Sequence, residues 1–119
     1  MNYRPKQRDI VFIDFDPSKG SEIQKRRPAL VMSRDEYNKS TNMVIVCPIT
    51  TTAKERPFLV PIESHHLPEK TISKVNTNQV YSLDYTKRAD RNIRFVENMD
   101  EEQFYVIAQN FKHNFSFKL

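Results

Sequence analysis

The sequence predicts a mainly β protein, a small antiparallel barrel with one α-helix at its C-terminus, on three observations. Short runs rich in Val, Ile, Phe and Tyr recur along the chain with polar connections between them, as in a many-stranded sheet. Apolar residues change to a helical period only in the last segment, so the helix follows the strands. No repeat, low-complexity tract or Gly/Ser linker divides the 119 residues, and residues 1–119 read as a single domain.

Each element has its own signal. Asp9-Ile-Val-Phe-Ile-Asp-Phe-Asp16 stops at Pro17 and reads as a strand feeding the loop Pro17 to Arg26, which carries Lys19, Lys25 and Arg26. Pro28 to Ser33 and Met43 to Thr50 are two further apolar runs read as strands. The polar stretch between them, Arg34 to Asn42, has turn formers and room for a short helix. Pro48 has no N–H to give to a ladder, which predicts an edge or a bulge for the later part of its strand. Shorter strands are expected at Phe58 to Ile62, Thr77 to Leu83 and Ile93 to Val96, about six in all. Phe104, Ile107, Ala108, Phe111 and Phe115 fall on one helical stripe, expected to lie over the sheet as core. Two pairs compete to cap that helix, Asn98 with Glu101 and Asp100 with Gln103. Gly20 is the only glycine, so the other turns must be made without one.

Hydrophobic residues at 38% and charged residues at 29% suit a globular chain rather than a disordered one. An excess of 19 Lys+Arg over 15 Asp+Glu, a net charge of +4, favours an anionic partner, although a solvated basic surface has the same composition. No apolar run approaches the ~20 residues that span a bilayer, and Met1 to Arg8 is too polar for a signal-peptide core. A cytoplasmic protein with no membrane partner is expected. Cys47, the only cysteine, excludes an intramolecular disulfide and a cysteine-based metal cluster, and its apolar run makes it a small core side chain.

The densest set of chemical groups is Lys19-Gly-Ser-Glu-Ile-Gln-Lys-Arg-Arg-Pro28. Gly20 lets the backbone approach a ligand, Ser21 offers a hydroxyl and Glu22 a carboxylate. Arg26 and Arg27 offer planar forks that match phosphate oxygens. By composition alone this is an anion-binding segment. His65 and His66 attract attention as acid-base or metal groups, but neighbours on a strand point to opposite faces and their surroundings read as a solvated loop. His113 lies off the apolar stripe.

From Asp9 to Ser33 the sequence resembles the opening of the MazF/PemK toxin family. The likeness continues through Tyr37-Asn38, Cys47-Pro-Ile-Thr-Thr51, Pro57-Phe58, Asn78-Gln-Val-Tyr-Ser-Leu83 and the terminal helix. The resemblance implies an SH3-like or CcdB-like barrel that dimerises and acts as the toxin of a type II toxin-antitoxin pair. It implies sequence-specific cleavage of single-stranded RNA with neither metal nor cofactor, leaving a 2′,3′-cyclic phosphate and a 5′-hydroxyl and so inhibiting translation. Arg27 falls on the family's catalytic arginine, Thr50 on its catalytic threonine and Glu22 on the acid of its Gly-Ser-Glu motif. Lys19, Gly20, Ser21, Pro28, Thr51 and Gln79 fall on positions that bind RNA. The implied partners are single-stranded RNA, a second copy of the chain, and an antitoxin with an acidic C-terminal tail, through which alone operator DNA is reached. Three positions depart from the family: Arg8 replaces a common glycine, Gln24-Lys25 a smaller pair, and Asn78 the acid before Gln79.

The roles also follow from chemistry. Attack by a ribose 2′-oxygen adds negative charge to the phosphate, and a fixed guanidinium such as Arg27 stabilises that state more than the ground state. With a pKa above ~12, a guanidinium is a poor general base. Thr50 can donate its hydroxyl to the same phosphate, and Glu22 can either accept the 2′-hydroxyl proton or orient Arg27. Plainer readings exist: an Arg27–Glu22 ion pair, strand-end threonines at Thr50 and Thr51, and loop-satisfying amides at Asn78 and Gln79. Phe15, Phe58 and Tyr81 are either base-stacking surfaces or core. Lys87, Arg88, Arg91 and Arg94 form a second RNA strip, a seat for an acidic partner, or a solvated loop. Two competing functions are a non-enzymatic barrel that binds a protein such as gyrase and a nucleic-acid-binding barrel that leaves RNA uncut.

Overall fold

The computed structural model describes residues 3–15, 26–67 and 72–118. Its elements in chain order are β1 (Asp9–Asp14), β2 (Arg26–Val31), α1 (Asp35–Thr41), β3 (Met43–Thr51), β4 (Leu59–Pro61), β5 (Ser73–Asn76), β6 (Tyr81–Asp84), β7 (Arg94–Asn98) and α2 (Glu101–Lys112), with a 3-10 turn at Lys87–Ala89. Every ladder is antiparallel, in the order β4-β5-β3-β2-β1-β7, with β6 also paired to β3. Among the described residues no ladder joins β4 to β7, so the barrel is open. No helix among them is long and apolar enough to cross a membrane.

Strand β3 organises the sheet. Of its nine residues, Val46 to Pro48 pair with β2 along one edge. Along the other they pair first with β6, at Met43 to Val46, and then with β5, at Ile49 to Thr51. Pro48 therefore lies within a central strand, not at the edge or bulge its missing N–H predicts. It falls in the short gap where β3 exchanges β6 for β5, and there the ladder on that side is already interrupted.

Alternation along the strands divides the core in two. Ile10, Leu30, Met32, Cys47, Ile49, Val60 and Val75 turn to one face, where Ile107 of α2 is fully buried and Phe104 and Phe111 pack beside it. Val11, Ile13, Ala29, Val31, Val44, Val46, Leu83 and Tyr85 turn to the other, with half-buried Tyr3, Phe15, Tyr81 and Ile93 around them. The aromatic stripe of α2 thus covers the sheet as expected, except for Phe115, which lies past the helix end with its ring 5.5 Å from that of Phe111. The helix is capped by Asp100: its carboxylate accepts from the Gln103 backbone N–H at 2.8 Å and from the Gln103 amide at 3.2 Å. Those two bonds hold the Asp100 carboxyl below the usual carboxylate range, so the cap stabilises the fold above that range and is lost as pH falls through the lowered value. Asn98 is not the cap; its amide donates to Asp9 and to the Gln7 carbonyl.

The short helix foreseen between the second and third strands is α1. Two further elements differ from expectation. The run Thr77 to Leu83 is not one strand: residues 77–80 turn between β5 and β6, with the Thr77 N–H and hydroxyl both donating to the Phe58 carbonyl at 2.9 Å. Strand β5 itself was hidden, because Ser73-Lys74-Val75-Asn76 has one apolar residue and buries its lysine by letting Nζ donate to the Lys54 carbonyl.

The scarcity of glycine is visible in the backbone. Left-handed positions fall on Asn42 (φ 59°), Asp90 (φ 55°) and Asn92 (φ 51°), residue types that tolerate them. Arg8, at φ 80°, is not such a type; it is held by its N–H to the Val31 carbonyl, its carbonyl to the Met99 N–H, and its guanidinium to the Met99 carbonyl at 3.0 Å. Arg8→Gly relieves roughly 1 kcal/mol of left-handed strain and gives up a hydrogen bond worth about as much, so stability should stay within about 1 kcal/mol of the parent. Arg8→Val should cost about 2 kcal/mol or more, because a β-branched residue fits a positive φ worst. Urea unfolding midpoints check this, and equal losses in the two variants would refute it.

Candidate active site

The β2–β3 register decides which side chains meet. Val31 faces Val46, Leu30 faces Cys47 and Ala29 faces Pro48. The ladder ends at Ala29 and Pro48, and Arg27 and Thr50 each lie two residues beyond that pair along their strands. Ala29, Val31, Val44 and Val46 all belong to the face that α2 does not cover. By alternation Arg27 and Thr50 leave the sheet on that same side, beyond the rim of its apolar cluster. Arg27 is exposed and Thr50 half-buried.

Arg27 rests on an aromatic seat. Its guanidinium carbon lies 5.3 Å from the centre of the Phe15 ring, and Phe15 meets Tyr81 edge-on, with ring centres 4.7 Å apart at 89°. A cation over an aromatic face at an exposed site gains ~0.5–1 kcal/mol, and among the described residues no acceptor takes the Arg27 side-chain N–H groups. Among the described residues Arg27 forms no ion pair. Phe15 and Tyr81 therefore serve partly as core, at the rim of the second cluster, and partly as the support of a cation. Phe58 lies elsewhere, half-buried ahead of β4, with its carbonyl taken by Thr77.

The other expected residues are distributed as follows. Pro28 is half-buried beside Arg27 and faces Phe12 of β1. Thr51 is exposed and faces Ser73 of β5. Gln79 is exposed in the turn before β6, its N–H given to the Asn76 carbonyl at 3.3 Å, and its neighbour Asn78 is exposed too. Lys19, Gly20, Ser21, Glu22 and the Gln24-Lys25 pair lie outside the described residues. Lys74 is an addition that sequence reasoning missed. It stands opposite Thr50 in the β3–β5 ladder, so a lysine borders the threonine, and no periodicity in its short strand marked it.

The basic residues after β6 do not act as one strip. Arg88 pairs with Asp84 at 3.6 Å, Lys87 begins the 3-10 turn, and Arg94 faces Phe12 from β7. Arg91 is half-buried and donates to the Asp14 and Phe15 carbonyls at 3.0 and 2.9 Å. His66 lies against the Glu97 carboxylate at 2.6 Å, while His65 and His113 are exposed. Among the described residues no three His, Cys, Asp or Glu side chains are grouped as metal donors.

Cys47 turns to the α2-covered face and is fully buried. Burial pushes its thiol up to about 12, so near neutral pH it carries no thiolate. Native protein should resist iodoacetamide at pH 8 and be alkylated fully once unfolded in guanidinium. Mass spectrometry checks this, and rapid labelling of the native chain would contradict the burial.

Comparison with known proteins agrees with this architecture. Residues 6–115 match the family described as PemK-like, MazF-like toxin of type II toxin-antitoxin system. The endoribonuclease toxin ChpB of Escherichia coli K12 is 38% identical over 90 residues, covering 71% of this chain and 74% of that protein. The endoribonuclease toxin MazF of the same organism is 47% identical over 58 residues, 49% of this chain, which spans about half of that relative (52%). MazF of Deinococcus radiodurans superposes with a TM-score of 0.74 at 28% identity over 94% of this chain and 96% of that one. A MazE-MazF structure from that organism gives 0.73 at 26% identity over 94% and 95%. The chain belongs to the PemK-like, MazF-like toxin family.

Proposed function

We propose that this chain is the toxin of a type II toxin-antitoxin pair, a sequence-specific endoribonuclease that cuts single-stranded messenger RNA in the cytoplasm without a metal ion. The observation that carries the reading is an exposed residue, Arg27, whose guanidinium is seated on Phe15 with no acceptor for its N–H groups among the described residues, on the strand that borders that of Thr50. Endoribonuclease activity is what the names of the relatives state, and the proposal extends it to this chain.

In the proposed reaction the 2′-hydroxyl loses its proton as its oxygen bonds to phosphorus. The P–O5′ bond then breaks, the 5′-oxygen takes up a proton, and a 2′,3′-cyclic phosphate remains. Arg27 and the Thr50 hydroxyl donate to the non-bridging oxygens as negative charge builds there. Glu22 either accepts the 2′-proton or orients Arg27. Lys19, Gly20, Ser21, Pro28, Thr51 and Gln79 contact the RNA around the cut, and the open aromatic rim gives flanking bases a surface to stack on. The working unit is a dimer. An antitoxin with an acidic tail neutralises it, in keeping with the MazE-MazF complexes known for a related protein, and connects it to operator DNA.

Incubation with end-labelled single-stranded RNA in EDTA tests the reading: defined cuts with cyclic-phosphate ends are expected. Arg27→Ala should lower the rate by about 10²-fold or more with the melting temperature unchanged. A substrate carrying one 2′-deoxy nucleotide at the cut should be spared at that position. Intact RNA under all conditions leaves a binding barrel, and cutting at the deoxy position excludes attack by the 2′-oxygen.

A further inference from the structure

We infer that Arg91 is a positioning residue for this RNA-cutting site, acting through Phe15 on Arg27 without touching RNA; the inference rests on the proposed function. The residues around Arg91 grip the end of β1 and the start of β2 together. The Asp14 N–H donates to the Arg91 carbonyl at 2.8 Å, while Nη1 of Arg91 donates to the carbonyls of Asp14 and Phe15 at 3.0 and 2.9 Å. From the other strand, Nη1 of Arg26 reaches the Asn92 carbonyl at 3.4 Å. Asp14 and Arg26 are the last facing pair of the β1–β2 ladder among the described residues, and residues 91–92 fasten both strands there.

Phe15 lies one residue past that pair. The Arg91 guanidinium holds its carbonyl. The same Phe15 carries the Arg27 guanidinium on its ring. A continuous chain of contacts therefore runs from Arg91 through the Phe15 backbone and ring to the cation of the site. The left-handed backbone at Asp90 and Asn92 folds the segment so that Arg91 can accept from and donate to the same residue. Both bonds leave from one nitrogen, Nη1, at the far end of the guanidinium, and the shorter side chains of lysine and glutamine place their nitrogen short of that position. Half-buried and turned to these carbonyls, Arg91 gives Nη1 to the backbone, while its Nε is buried without a partner among the described residues. Its removal should act on alignment, and a displacement of ~1 Å at a reacting group is enough to cost ~10²-fold in rate.

The test compares Arg91→Lys, which keeps the charge, with Arg91→Gln, which removes it, in the full-length protein. Two readouts are used: steady-state cleavage over a range of salt, and the Arg27 Nε–H resonance, assigned with Arg27→Lys and displaced by the Phe15 ring current. Both variants should lower kcat by about 10- to 100-fold with KM and salt dependence unchanged, and both should move the Arg27 resonance toward its exposed-arginine position. Wild-type rates in Arg91→Lys, with a raised KM and flatter salt response in Arg91→Gln, would mean a cation touching RNA and overturn the inference. A lower melting temperature with kcat and the Arg27 resonance unchanged would reduce Arg91 to a structural residue and overturn it equally. If Arg91→Gln fails to fold, Arg91→Lys decides on the same readouts. If wild-type protein cuts no RNA, the functional reading falls by itself, and the Arg27 resonance still decides whether Arg91 positions that side chain.

Discussion

The antiparallel register of β2 against β3 is the constraint on which the candidate site depends. Side chains in a strand alternate between faces, so a slip of one residue would send Arg27 to the side covered by α2 and Ala29 away from its cluster. The apolar partners prevent this. Leu30 and Cys47 are buried in the α2-covered core, and Val31 and Val46 in the other, so each face votes for the same alignment. The hydrophobic effect thereby positions polar groups it does not itself touch.

The second constraint is the division of labour between the two faces. One is sealed by Ile107, Phe104 and Phe111 of α2 and hides Cys47. The other is closed by its own strands over most of its extent and ends in a rim of aromatic rings. At that rim Phe15 and Tyr81 are neither full core nor free surface. Half-buried rings of this kind keep a fixed attitude because their edges are packed, yet present a face on which a cation or a base can rest.

Much of the fold was legible because its signals are local. Asp9 to Asp14, the valine- and isoleucine-rich run of β3 and the stripe of α2 each declare their period within a few residues. Asn98 with Glu101 and Asp100 with Gln103 both fit a capping pair by type, and only the geometry of Asp100 chooses. What stayed hidden depends on contacts distant in sequence. Strand β5 exists because β3 and β4 pair with it, and Lys74 is buried because a loop carbonyl receives its ammonium group. Pro48 misled because the rule about missing donors does not know that one strand can serve two successive neighbours. For the site, Arg27, Thr50 and Pro28 could be named from the resemblance, but the aromatic seat under Arg27 could not, since Phe15, Arg27 and Tyr81 come from three separate stretches of the chain, just past β1, in β2 and in β6. The basic run from Lys87 to Arg94 looked uniform in sequence and is divided by structure, each member finding a different environment.

The pairing of β1 with β7 bears on synthesis. A strand at residues 9–14 whose neighbour is the strand at 94–98 must wait for the second to emerge from the ribosome before that edge is zipped. The hold on the Asp14 and Phe15 carbonyls likewise waits until Arg91 has been translated. A nascent chain can thus acquire its early strands while the seat beneath Arg27 is still unassembled, a delay set by topology that separates making the polypeptide from arming it.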